Sequence, residues 1–238
     1  MSLIKGKSIL ITGGSRGIGL AVARAFLKAG ARAAICARHG TGLRRAEVQL
    51  KEISKDVLAI RADVSRKNDV ARMVRRVLRS FKRIDVLVNN AALLGERSHI
   101  ARYPLRAWEN VLRTNVTGLF LVTQAVLKAM LKARSGCVIN VTSSVGRAGR
   151  AEWGAYAISK FALEGFTQVL AQEVGASGIG VYALNPGATR TDMRAAAYPE
   201  EDPMTLKPPE DAAWAFVKLA KREDLLLSGR SLDARDLI

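Results

Sequence analysis

Short apolar runs alternate along the chain with longer stretches in which apolar residues recur every three or four positions. The runs at 8–12, 33–37, 57–60, 84–88, 137–142 and 180–184 are nearly continuous in Ile, Leu, Val and Ala. They read as strands covered on both faces. Between them, residues 18–29, 41–53, 67–81, 105–131 and 155–174 carry the period of amphipathic helices, and Gly30 stops the first. Each parallel neighbour needs a helix-length crossover. The alternation therefore predicts an α/β fold, a doubly wound parallel sheet of about seven strands with helices on both faces. After residue 187 the pattern weakens. Residues 188–209 are charged and turn-rich, with Pro199, Pro203, Pro208 and Pro209, and read as a loop covering a site. A last helix is expected at 210–220, and the tail 231–236 makes a poor strand. No repeat or linker divides the chain, so residues 1–238 read as one domain.

Composition narrows the class. The 238 residues are 49% apolar, enough for a sizeable core. No signal peptide is recognised, and no window approaches the ~20 continuous apolar residues of a membrane span. Cys36 and Cys137 lie inside apolar strands and read as small buried hydrophobes. A cytoplasmic protein with no membrane partner is expected. His39 and His99 lack ligand spacing, so no metal site is expected. The formal net charge of +17 is the one oddity. Much of it lies at Arg72, Arg75, Arg76, Arg79, Lys82 and Arg83, interleaved with Val70, Met73, Val74, Val77, Leu78 and Phe81. That is a helix with an apolar core face and a basic water face. No aromatic residues accompany the basic face, which argues against nucleic-acid binding.

Candidate chemistry begins in the turn after the first strand, Thr12-Gly13-Gly14-Ser15-Arg16-Gly17-Ile18-Gly19. Its glycines let backbone approach a pyrophosphate, and the helix that follows presents free N–H groups to it. At the end of the second strand, where an acidic residue would bind the ribose of NAD, stand Ala37 and Arg38. With Arg16 in the turn, two cations and no carboxylate suit a 2′-phosphate, so NADP(H) is favoured over NAD(H). Asp63 and Val64 end the third strand, placed to reach the adenine. Further on, Tyr156 and Lys160 project one helical turn apart from the same face. An ammonium beside a phenol predicts a tyrosine pKa lowered toward working pH, suited to exchanging a proton with a carbonyl or alcohol oxygen.

The ordered set Thr12-Gly13-x-x-x-Gly17-x-Gly19, Asp63, Asn89-Asn90-Ala91, Asn115, Ser143, Tyr156-x-x-x-Lys160 and Asn185-Pro186-Gly187 resembles the short-chain dehydrogenases/reductases over nearly the whole chain. The resemblance implies a Rossmann-type domain and catalytic roles for Asn115, Ser143, Tyr156 and Lys160. Tyr156 would protonate the carbonyl oxygen or take the alcohol proton, and Ser143, chosen over Thr142 and Ser144 by its spacing to Tyr156, would bind the same oxygen. Lys160 would lower the tyrosine pKa and hold the nicotinamide ribose, while Asn115 would support a water joining Lys160 to solvent. The implied cofactor set is Gly13, Ser15, Arg16, Gly17, Ile18, Gly19, Arg38, Asp63, Val64, Asn90, Ala91, Tyr156, Lys160, Pro186, Gly187 and Thr191. Ala92 stands where the family usually has glycine, and the tail lacks the usual strand followed by Asp-Gly-Gly.

The family pattern places the mostly apolar Leu93, Leu94, Val145, Trp153, Ala188 and Met193 near the nicotinamide. They imply a medium-sized ketone, aldehyde or secondary alcohol, with reduction the favoured direction. The alternative is a 3-oxoacyl-[acyl-carrier-protein] reductase with an acidic carrier protein as partner. Arg134 fits that pattern, and Ser177 stands where a second arginine belongs. Readings from other classes are a non-catalytic nucleotide-binding protein and a basic nucleic-acid-binding protein. Resemblance also implies a homodimer or homotetramer, with Val116, Leu119, Val122 and Val126 as a candidate contact stripe.

Overall fold

The computed structural model describes residues 4–221 and 225–237. Residues 1–3, 222–224 and 238, which the one-domain reading included, lie outside the described residues. In chain order the elements are β1 (Ser8–Thr12), α1 (Gly17–Lys28), β2 (Arg32–Ala37), α2 (Gly40–Lys51), β3 (Val57–Arg61) and α3 (Lys67–Phe81). There follow β4 (Val86–Asn89), α4 (Leu105–Leu112), α5 (Gly118–Ala133), β5 (Gly136–Val141) and α6 (Gly154–Val174). The last are β6 (Ile179–Asn185), α7 (Asp192–Ala197), α8 (Pro209–Ala220) and β7 (Ser231–Asp233). The seven strands pair in the order β3-β2-β1-β4-β5-β6-β7, all parallel.

Alternate residues of each inner strand feed two separate cores, which is why the runs are apolar throughout. Ile9 and Ile11 of β1 pack with Val22 and Phe26 of α1, Leu50 of α2 and Phe216 of α8. Leu10 between them faces the other way, into a core with Val74 of α3, Val126 and Met130 of α5, and Val174 of α6. Cys36 and Cys137 are buried and unbridged, and burial pushes both thiols up to about 12. The strand order reverses between β1 and β4, leaving a crevice at their carboxyl ends where such sheets bind ligands.

Two elements differ from the sequence reading. The helix expected over 105–131 is broken by a π-helical turn at Arg113–Thr117, between α4 and α5. The tail, a poor strand by sequence, pairs as β7 with the last residues of β6, Ser231 against Ala183 through Asp233 against Asn185. Leu105–Ala133 is long and apolar enough to cross a membrane by length and composition, with mean hydropathy 1.4 over 18 residues. It is not a continuous apolar run, since Arg106, Glu109, Arg113, Lys128 and Lys132 interrupt it. Its apolar content has another use in this fold: Leu119, Val122, Val126 and Met130 are buried inside the molecule. Their burial also corrects the proposed contact stripe, since three of its four residues face their own core. The cover, 188–209, holds α7 and a 3₁₀ turn at Pro203–Thr205, and Thr189 bridges to Lys207.

Candidate active site

The turn after β1 lies flat on the end of β4. Gly13 takes φ +67°, and a Cβ there would come 2.9 Å from both Ala91 Cα and Asn90 Nδ2. A Cβ on Gly19 would collide with the Gly13 carbonyl oxygen. Only glycine permits this approach. Thr12 Oγ1 accepts the backbone N–H groups of Asn90 (3.0 Å) and Ala91 (3.1 Å). Asn90 Nδ2 returns bonds to the carbonyls of Thr12 (2.9 Å) and Gly13 (3.1 Å). No side chain caps the start of α1. Its first N–H groups and positive dipole end are left for an anion, so this cradle fits a dinucleotide pyrophosphate.

A cavity of about 910 Å³ follows the carboxyl edge of the sheet. It brings together Gly13, Ser15, Arg16, Gly17, Ile18, Arg38, Val64, Asn90, Ala91, Ser143, Tyr156, Lys160, Pro186, Gly187 and Thr191. Three expected residues lie off it. Gly19 is buried behind the turn. Asp63 lines a neighbouring cavity with Arg38, and its Oδ1 accepts the N–H (3.0 Å) and hydroxyl (2.7 Å) of Ser65. Asn115 lines a separate 10 Å³ cavity that also touches Lys160, close to the room one water needs. Arg16 reaches across to Asp192 at 2.7 Å, joining the glycine turn to α7. Arg38 is exposed, and among the described residues no carboxylate pairs with it.

Ser143 follows β5, and α6 carries Tyr156 and Lys160. Burial pushes the Tyr156 phenol up to about 12, and a hydrogen bond with Ser143 opposes that rise only in part. Burial pushes Lys160 down to about 8, against the pull of Glu164 one turn later. Lys160 Nζ donates to the Val141 carbonyl at 2.6 Å and lies 5.4 Å from the centre of the Tyr156 ring. The expected lowering of the phenol pKa is thus corrected: desolvation outweighs the hydrogen bond from Ser143 at the phenol, as it outweighs the pull of Glu164 at the lysine. At neutral pH the phenol keeps its proton and the lysine keeps most of its charge. The Asn115 side chain is fully engaged elsewhere. It accepts from the Leu93 N–H (2.8 Å) and donates to the Leu93 carbonyl (2.9 Å) and Ser159 Oγ (3.0 Å). Through the π-helical turn it ties the loop after β4 to α6.

Of the residues expected near the substrate, Leu93, Leu94, Trp153, Ala188 and Met193 line the cavity. Val145 instead packs behind it, with Trp153, Tyr156 and Ala197. Two groups had no sequence signal. One is an aromatic wall: Trp153 lies 5.6 Å from Tyr156 and 5.8 Å from Tyr198, ring centre to ring centre. Tyr198 falls in the segment without periodicity, and the arginines around it are lost among 38 Lys and Arg. The other is a polar strap under Ser143. Thr142 Oγ1 and Ser231 Oγ donate to Glu164 Oε1 at 2.6 and 2.8 Å, and Arg147 binds Asp233 at 2.8 Å.

The short chain dehydrogenase family model matches residues 7–202. The uncharacterized oxidoreductase YciK of Escherichia coli K12 is 35% identical, over 98% of this chain and 93% of its own length. A 3-oxoacyl-[acyl-carrier-protein] reductase of Synechocystis is 36% identical over 81% of this chain and 78% of its own. Among solved structures, a short chain dehydrogenase of Shigella flexneri complexed with NADP superposes with a TM-score of 0.93. It is 35% identical, with 98% and 99% of the two chains covered.

Proposed function

Given that the chain belongs to the short-chain dehydrogenases, oxidoreductases acting on CH–OH and C=O groups with a nicotinamide cofactor, we propose that it reduces a ketone or aldehyde with NADPH, Tyr156 being the proton donor. The observation that carries this reading is the buried Tyr156, set with Ser143 and Lys160 on the wall of the large cavity beside the glycine turn. NADPH, when bound along the glycine turn, supplies the hydride for the carbonyl carbon. Tyr156 gives its proton to the carbonyl oxygen, which Ser143 holds by a second hydrogen bond. The phenolate left behind is offset by the charge of Lys160, whose Nζ lies 5.4 Å from the centre of the ring. Asn115 acts by position, holding α6 and the loop at Leu93 in register. Arg38 and Arg16 are the residues proposed to favour NADP(H), and the NADP carried by the Shigella relative supports that choice.

The Synechocystis relative favours a second reading, reduction of 3-oxoacyl chains on an acidic carrier protein. Against it, Arg134 is committed to the Ala176 carbonyl at 3.1 Å. A homodimer or homotetramer is proposed through α5 and α6.

The test is a panel of carbonyl compounds followed at the nicotinamide absorbance. NADPH is consumed with at least one member, and Tyr156→Phe lowers kcat by ~10²–10⁴ while NADPH binding persists. Turnover that survives in Tyr156→Phe would end the assignment.

A further inference from the structure

Three arginines surround Tyr198, and among the described residues only one of them is left without a carboxylate. Arg194 lies 3.9 Å from the centre of the ring and sends two N–H groups to Glu201, each at 2.6 Å. Arg97 sits over Trp153 at 4.7 Å and Tyr198 at 5.7 Å. It also donates to the Ala197 carbonyl at 2.9 Å and meets Glu152 at 3.5 Å. Both are neutralised and hold the aromatic wall in place. Arg150 lines the same cavity, and its guanidinium donates to the Tyr198 hydroxyl at 3.5 Å. Among the described residues no carboxylate pairs with it.

The route from the reactive phenol to Arg150 is walled by aromatic rings, and the arginines stacked on them, Arg97 and Arg194, already have carboxylate partners. It runs from Tyr156 over Trp153 to Tyr198 in ring steps of 5.6 and 5.8 Å, flanked by Leu94, Met193 and Ala197. Arg150 is exposed, so a substrate apolar along its whole length leaves it to water and gains nothing from it. An anion there gains charge-assisted, fork-shaped hydrogen bonds, which an arginine provides more specifically than any other side chain. We propose that the cavity selects carbonyl compounds that carry a carboxylate or phosphate at the end remote from the carbonyl, with Arg150 the residue that determines this specificity. This rests on the carbonyl-reduction reading of the same cavity. Arg190 also lines the cavity without a carboxylate, but it is turned to Met204 Sδ at 3.5 Å, and serves as the control.

Calorimetry on the NADP-saturated protein would compare 4-(hydroxymethyl)benzoate, 4-(hydroxymethyl)phenyl phosphate and methyl 4-(hydroxymethyl)benzoate. At least one anion binds about tenfold or more tightly than the ester, and the tighter of the two names the group. The preference collapses to about unity in Arg150→Ala, returns in part in Arg150→Lys and survives in Arg190→Ala, by loss or retention of the guanidinium–anion bond. Binding of none of the three, equal binding of ester and anions, persistence in Arg150→Ala or loss in Arg190→Ala would each overturn the proposal. Turnover of the matching aldehydes separates the two claims. An anion preference in binding with no NADPH consumed with any aldehyde sinks the reduction reading and leaves the anion site. NADPH consumed equally with acid and ester aldehydes does the opposite.

Discussion

Lys160 carries a charge where burial works against it, and the opposition has a measurable direction. Its ordinary 10.5 falls to about 8 in the fold. Below pH 8 folded and unfolded chains are both protonated there, and the folded state bears the whole desolvation penalty. Between pH 8 and 10.5 the unfolded chain binds more protons, so stability rises with pH; above that window the residue contributes nothing. The shift corresponds to about 3 kcal/mol, less about 1 kcal/mol for the bond to the Val141 carbonyl. Lys160→Met is therefore expected to be inactive yet about 2 kcal/mol more stable at pH 7, with the gain fading by pH 10.5. Tyr156 has the opposite sign: with its phenol raised to about 12, the fold loses stability as pH climbs above 10. Urea titrations at pH 7, pH 10 and above pH 11 would separate the two, and a Lys160→Met variant less stable than wild type at pH 7 would refute the argument. None of this is readable from Tyr-x-x-x-Lys spacing, which reports proximity and is silent about burial.

At the scale of elements, the weakest strand does the most unexpected work. β7 is three residues long and lacks the apolar run that marks the other six. Its place is fixed by Arg147, which donates to Ser231 Oγ (2.7 Å), the Leu232 carbonyl (3.0 Å) and Asp233 Oδ2 (2.8 Å). Burial alone would raise the Asp233 carboxyl, but hydrogen bonds from Arg147 and Asn185 hold it below the ordinary value. Arg147→Ala should cost about 2 kcal/mol, as loss of a charge-assisted bond does, measured as a lower urea midpoint at pH 7. The difference shrinks as pH falls through the acid range, where Asp233 gains its proton and the lowered pKa ceases to stabilise. An Arg147→Ala midpoint equal to wild type would show that β7 needs no strap. On the other side of the sheet, α5 and α6 leave Phe120 and Phe161 nearly half exposed (46% and 45%), with Val169 at 60%. These replace the inward-facing Leu119, Val122 and Val126 as the residues available for pairing two copies. Light scattering should give a dimer or tetramer for wild type and a monomer for Phe120→Glu combined with Phe161→Glu; a monomeric wild type would dispose of the pairing.

For the molecule as a whole, the sheet was legible because both faces of every inner strand are buried, which writes continuous apolar runs into the sequence. The glycine turn was legible because close backbone contacts at Gly13 and Gly19 exclude a Cβ. The π-helical turn was not, since Val111, Leu119 and Val122 keep a helical rhythm across it. Nor was the aromatic wall, because Tyr198 lies in a segment ordered by ion pairs and stacking rather than by period. Net charge was legible, but its allocation was not. The formal charge of +17 does not say which arginines meet a ligand; the two proposed for a 2′-phosphate, Arg16 and Arg38, both line the cofactor cavity. Arg16 already serves Asp192 at 2.7 Å, whereas Arg38 has no carboxylate. Arg38 should therefore carry the larger share of NADP selectivity. Arg38→Asp is expected to weaken NADPH by about 10–100-fold, the value of a charge-assisted bond, and to leave NADH within a few-fold. Arg16→Ala should do less, because the Arg16 charge is already partly offset by Asp192. Screening sharpens the test: with an exposed guanidinium, the NADPH advantage must shrink between low salt and ~0.5 M, where the screening length falls below ~5 Å. Should NADH bind the unmodified protein as tightly as NADPH at low salt, neither arginine selects the cofactor.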